Sequence, residues 1–196
     1  MLISVLSLFV SLFFGFTAAL ARRSAILPLR YLSLLYIEII RGTPLLVQLL
    51  IFFYIVGDAF GIQDRVVAGV LILSFFSGAY LAEIFRAGIE SVGETQLETA
   101  RAVGFTPFQT YRFVIIPQVL TRSLPPLAGQ LASLIKDSSL LSVISVTEFT
   151  FSAQTINART YSTLEAYIPL AIGYLILTLP ISWLSRWLER RYSYET

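Results

Sequence analysis

Long apolar runs separated by short polar breaks set the pattern of this chain. The runs occupy residues 2–21, 31–56, 66–85, 123–146 and 167–187. Each is close to the roughly 20 residues a helix needs to cross the hydrocarbon of a bilayer. Lipid gives the backbone no hydrogen-bond partner, so the pattern predicts about five membrane-spanning helices. The second run is interrupted by Glu38, Arg41, Gly42, Thr43 and Pro44. One polar stretch stands apart, residues 90–117, which contains ETQLETARAVGFTPFQTYRFVIIP.

Within that stretch the local signals predict helix, turn, helix. Thr95 with Glu98 three residues on fits a capping box, which starts a helix at Gln96 that runs to Val103. Gly104 suits the position just past its end, where glycine takes a left-handed conformation without steric cost. Thr106, Pro107 and Gln109 predict the start of a second helix that runs on to Pro117. Leu97, Ala100 and Val103 share a face. So short a helix must be held by packing, against its own bundle, lipid or a groove on another protein. Glu90, Glu94 and Glu98 outweigh Arg101, whereas a helix lying on lipid carries a basic polar face, so a protein partner is favoured.

Composition sharpens this picture. Only 13% of the 196 residues are charged, against about 25% in soluble domains. The absence of cysteine and histidine excludes disulfides, thiol or imidazole catalysis and the usual zinc sites. No catalytic or metal-ligating set is expected, nor a nucleic-acid partner. Lys136 is the only lysine, and its surroundings, QLASLIK, are not a glycine-rich phosphate loop. No cofactor is therefore expected in this chain, and ATP with its magnesium would bind to another polypeptide.

The arginines set the orientation. With the N-terminus outside, Arg22, Arg23, Arg30, Arg86, Arg101, Arg112, Arg122, Arg186, Arg190 and Arg191 fall on the cytoplasmic side, and only Arg65 and Arg159 outside. The excess of positive charge in cytoplasmic segments selects this arrangement, with the C-terminal RWLERRYSYET also inside. Ala19-Leu20-Ala21 mimics a signal-peptidase site, but the charges follow the apolar run instead of preceding it, which favours an uncleaved first span. Residues 147–165 are expected as a short helix or loop over the outer mouth. Gly57, Gly61, Gly69 and Gly78 are expected at close helix contacts.

The polar stretch resembles the cytoplasmic EAA loop of ABC-importer permeases. Glu98-Thr99-Ala100, Gly104, Val114, Ile116 and Pro117 keep the spacing of that motif, with Thr99 in place of alanine. RGTPLLVQ (41–48), AYLAEIFRAGI (79–89), LPPL (124–127) and KDSSL (136–140) resemble elements of the polar amino-acid uptake subfamily, over about residues 31–186. Thr95 stands where that family has glycine.

The resemblance implies an all-α membrane protein with the type I ABC-importer permease fold, in one transmembrane domain over 1–196 with a coupling loop at 90–117. It implies a multi-pass subunit of a bacterial inner membrane, dimeric with an identical or related permease. The implied partners are two cytoplasmic ABC ATPases, which bind the ATP and Mg, and an external amino-acid-binding protein. Leu97, Glu98, Thr99, Ala100, Val103, Gly104 and Phe105 are then the expected ATPase-coupling residues. Ala100 is expected to be small for close approach to the ATPase, and Glu98 to meet a basic residue there.

Gln130, Ser133, Asp137 and Glu165 are expected along the substrate path, where a carboxylate slightly favours a basic amino acid over glutamine or glutamate. Lys136 and Asp137 are expected near the middle of the fourth span, as parts of a gate. Glu38–Arg41 and Glu83–Arg86 are expected as structural ion pairs. Two rivals remain: an ion-coupled secondary transporter, which normally has more spans and inverted repeats, and an intramembrane hydrolase, for which only a Ser–Lys pair using Lys136 is left.

Overall fold

The computed structural model describes residues 2–192; Met1 and residues 193–196, the tail of the expected cytoplasmic segment, lie outside the described residues. The first helix, α1 (Leu2–Arg22), shows how side chains sort. Ser4, Ser7, Ser11, Gly15, Ala18 and Ala19 recur every three or four residues and are buried, whereas Leu6, Phe9, Phe13, Phe16 and Leu20 are exposed. A bilayer is as apolar as leucine, so its helices associate by close backbone approach over small residues. The buried stripe lies against α4 (Arg65–Glu90). A Cβ added to Gly78 would come 2.7 Å from that of Phe14 and 2.9 Å from the Tyr36 hydroxyl. Ser74 donates to the Ser7 carbonyl at 3.2 Å, which stitches the two backbones together.

The second run is a broken helix. It consists of α2 (Leu27–Gly42) and α3 (Leu45–Ile51), which continues as π-helical turns over Phe52–Gly57, and the two parts are bent by 112°. Thr43, held extended (φ −125°, ψ 148°), precedes Pro44, and this pair ends α2. Gln48 repairs the break: the two hydrogens of its Nε2 are shared among the Ile40 carbonyl at 2.8 Å, the Thr43 carbonyl at 3.0 Å and Thr43 Oγ1 at 2.8 Å. Irregular backbone is tolerated at membrane depth only with such satisfaction. Gln48→Leu is expected to leave these acceptors unpaired and to cost about 1–3 kcal/mol. Thermal unfolding in detergent reads the loss, and an unchanged melting temperature would show that water already serves the elbow.

The polar loop follows, with α5 (Glu94–Ala102) and α6 (Pro107–Thr110). The helix after the turn does not stop at Pro117. It passes through a π-helical turn at Tyr111–Ile115 into α7 (Ile116–Asp137), with Pro117 in the first turn of that helix. Proline has no N–H to give, and the wide turn just before it changes the hydrogen-bond register. The fourth span also ends earlier than its apolar run. Residues Ser138–Ile144 wind as a tight 3₁₀ helix, closed by Ser145 in the left-handed region (φ 60°). Lys136 and Asp137 accordingly lie at the end of α7, not in its middle.

The outer connection is a helix, α8 (Phe149–Thr160), capped by Glu148, which accepts from the Thr150 and Phe151 amides at 2.7 Å each. The last helix, α9 (Thr163–Tyr192), packs against α7. Among the described residues α1, α4 and α9 are long and apolar enough to cross a membrane, and the bent α2–α3 pair adds a fourth. At 22 residues, or about 33 Å, α7 is long enough for a fifth, but more polar. Where α3, α4, α7 and the 3₁₀ turn meet, Leu49, Leu73, Leu134, Leu141 and Val146 are fully buried. Gly69 receives Leu141 there, so Gly69 and Gly78 make close contacts as expected. Gly57 sits in the π-helical turns, and Gly61 (φ +67°) has open space around it and serves a turn.

Candidate functional site

At the end that carries the polar loop, Arg23 and Arg101 line one cavity with Glu90 and Glu94, and Arg122 and Arg190 line another with Glu189. The loop at this end is built differently from the capping expectation at its start. The N-cap of α5 is Gly93, and Thr95 lies inside the helix with its carbonyl accepting from Thr99 Oγ1 at 2.8 Å. Two features move the start forward. Glu94 in the first turn meets the positive end of the helix dipole. Val92 and Leu97 stand at the two positions of a hydrophobic staple, just before the cap and four residues after it, and line the same cavity. Glu98 is exposed and takes no part in a cap.

The helix ends as the sequence predicts. Gly104 has φ +84°, its amide donates to the Arg101 carbonyl at 2.9 Å, and the Phe105 amide donates to the Ala100 carbonyl at 3.0 Å. These two bonds are a Schellman stop. Thr106 then caps α6 in a full capping box with Gln109. Two side-chain ties hold the loop to the bundle: Gln118 donates to Gln96 at 2.8 Å, and Arg122 donates to the Ser91 carbonyl and, at 2.9 Å, to its hydroxyl.

This build divides the expected coupling residues. Glu98, Thr99 and Gly104 are exposed, and Val103 is 66% exposed despite being apolar. Ala100 is only 4% exposed and Leu97 faces the cavity beneath the helix, about 360 Å³ in size. Phe105 stacks edge-on with Phe113 at 6.4 Å. The smallness of Ala100 is thus required by the loop's own packing. Ala100→Trp would break the loop itself and report nothing about a partner.

Along α7 the expected Gln130, Ser133 and Asp137 share a face with Arg122 and Pro126, at spacings of three and four. Gln130 donates to Ser77 Oγ at 3.2 Å, tying this face to α4. Asp137 is half-buried and Lys136 exposed, and neither is in an ion pair among the described residues. Glu165, exposed in the first turn of α9, does not join them. Ser185 Oγ meets the Pro125 carbonyl at 2.9 Å. Counted along the two antiparallel helices from that point, Glu165 lies about 12 Å beyond Asp137.

The ion pairs are also regrouped. Arg86 binds Glu83 as expected, Nη2 to Oε2 at 2.9 Å, and also binds Glu90. Arg41, however, turns away from Glu38 to Glu83, 3.6 Å away, and Arg22 of α1 takes the other Glu83 oxygen. Glu38 is exposed. Glu83 thereby ties α1, α2 and α4 together. The spacing of three residues in the sequence names one of these arginines; the other two come from distant segments and left no local signal.

The geometry defines a multi-helix membrane protein with a helix–turn–helix knob at its basic end. Residues 7–194 match the family described as the binding-protein-dependent transport system inner membrane component, and the chain belongs to that family. It is 40% identical over 191 residues to the glutamine transport system permease protein GlnP of Escherichia coli K12, covering 96% of this chain and 87% of the relative. It is 41% identical over 191 residues to the L-cystine transport system permease protein TcyB of Bacillus subtilis, covering 96% and 81%. A solved amino acid ABC transporter with histidines superposes with a TM-score of 0.89 at 40% identity, over 96% of this chain and 88% of that one. Membership of this family sets aside the ion-coupled and hydrolase readings and places the protein in the inner membrane.

Proposed function

We propose that this chain is the membrane-spanning subunit of an ATP-driven importer of polar amino acids, with the 90–117 loop as its coupling element. In this reading two ABC ATPases in the cytoplasm bind and hydrolyse ATP with magnesium, a second permease completes the pore, and an external binding protein delivers the amino acid. The observation that carries it is a rigid outward face on α5: Glu98, Thr99 and Val103 exposed on a helix fixed by a staple, a Schellman stop and two side-chain ties. A helix laid into a groove can pass force to the bundle only if its own base does not yield.

Gln130, Ser133 and Asp137 on one face of α7 support a substrate path there, and the outlying Glu165 fits an entry position at the outer end. The named relatives span glutamine, cystine and histidines, so the reading stays at polar amino acids and gains no weight toward basic ones. Reconstitution with the ATPase and binding protein is expected to give ATP-dependent, vanadate-sensitive uptake. Val103→Asp is expected to abolish co-purification of the ATPase while the chain still inserts. Uptake driven by an ion gradient without any ATPase would overturn the reading.

A further inference from the structure

An open cavity of about 430 Å³ lies between α4 and α7 in the basic half of the bundle. Its size falls in the roughly 300–1,000 Å³ range of small-molecule sites. Arg41, Tyr80, Glu83, Arg86, Arg122 and Gln130 are in its wall, so three arginines share the cavity with one carboxylate. That carboxylate is already engaged by Arg22 and Arg86, and Arg86 is shared further with Glu90.

Arg41 and Arg122 are left with the least. Arg41 stands 3.6 Å from Glu83, its side chain 43% exposed, its guanidinium 5.5 Å from the Tyr80 ring centroid. Arg122 is held by neutral acceptors, the Ser91 carbonyl and hydroxyl and the Gln118 amide oxygen, and pairs with no carboxylate among the described residues. Positive charge within a membrane helix bundle is costly without a counter-ion and marks a path for charged solutes. Guanidinium groups recognise carboxylates by paired, charge-assisted hydrogen bonds. The Gln130 side chain adds an amide oxygen, an acceptor suited to an ammonium group, on the same wall.

We propose that this cavity is a station for the carboxylate of the transported amino acid, held between Arg41 and Arg122. Tyr80 acts as a positioning residue that holds the Arg41 guanidinium beside its ring, where it pairs with Glu83 at 3.6 Å but stays beyond hydrogen-bond distance. The station rests on the importer reading for the identity of its occupant. Its place in the basic half of the bundle makes it a late stop, met on the way into the cytoplasm.

The test is equilibrium binding to the full-length chain in phosphatidylcholine nanodiscs, without ATP or partners. The probes are L-glutamine and L-arginine, each beside its decarboxylated counterpart, 4-aminobutanamide and agmatine. The acids are expected to bind roughly tenfold or more tightly than the amines. Arg41→Gln and Arg122→Gln are each expected to erase that preference, and Arg30→Gln, exposed and outside the cavity, to keep it. Two variants on opposite helices keep the test valid if one fails to fold. Equal binding of acids and amines, or an acid preference that survives both substitutions, would overturn the station. So would loss of acid binding on adding phosphatidylglycerol, which would assign the cavity to lipid phosphate. Because the assay needs no transport, its result stands apart from ATP-driven uptake, whose absence would count against the importer reading alone.

Discussion

Glu83→Gln is expected to destabilise the protein by about 1–3 kcal/mol, the usual cost of leaving charged hydrogen-bonding partners unsatisfied in a half-buried cluster. The Glu83 side chain is 15% exposed and is the shared counter-ion of Arg22, Arg41 and Arg86, from three different helices. Glutamine keeps the size and an acceptor oxygen but not the charge. Arg86 retains Glu90, whereas Arg22 and Arg41 lose their only carboxylate among the described residues. Thermal unfolding of the detergent-purified chain measures the effect. Glu83→Asp, which keeps the charge and shortens the reach, should fall between the two. A wild-type melting temperature for Glu83→Gln would mean that hydrogen bonding, not charge, holds the three helices.

The second large effect is expected at Gly104. A Cβ there would meet nothing within 4 Å, so crowding is not the issue. The backbone is: at φ +84° an L-residue costs about 1–2 kcal/mol, more if it is β-branched. Gly104→Val should break the hydrogen bonds that the amides of residues 104 and 105 donate to the Arg101 and Ala100 carbonyls and swing α5 off its base, lowering uptake roughly tenfold or more, since about 1.4 kcal/mol is a decade. Membrane insertion and the melting temperature of the bundle should barely change. Gly104→Asn, which enters the left-handed region readily, should keep most of the uptake. Equal loss in both variants would place the requirement in a contact made by glycine itself and not in its backbone angle.

What the sequence disclosed follows the range of each signal. The Gly104 stop and the Thr106 cap are decided within four residues, so their residue types announced them. α5 starts two residues earlier than the Thr95–Glu98 spacing predicts, because that spacing competes with the staple positions Val92 and Leu97, whose weight depends on what lies underneath. Apolar runs located the spans but not their ends. The run at 123–146 stays apolar after α7 stops at Asp137, because Leu141, Ile144 and Val146 fold back into the core. The elbow at Thr43–Pro44 was visible as an interruption, yet its angle was not, since that depends on where Gln48 finds its acceptors. Spacing pairs Arg41 with the nearer Glu38, because spacing is the only distance a sequence contains.

The serine-and-glycine seam of α1 reverses the ordinary ranking of vulnerable positions. Enlarging Ser7, Ser11 or Gly15 by a few atoms separates two backbones, whereas exchanging Phe9 or Phe13 for another greasy residue leaves the helix pair undisturbed. A mutational survey scored by bulk would guard the phenylalanines and overlook the hydroxyls. In this helix the smallest side chains are the least replaceable.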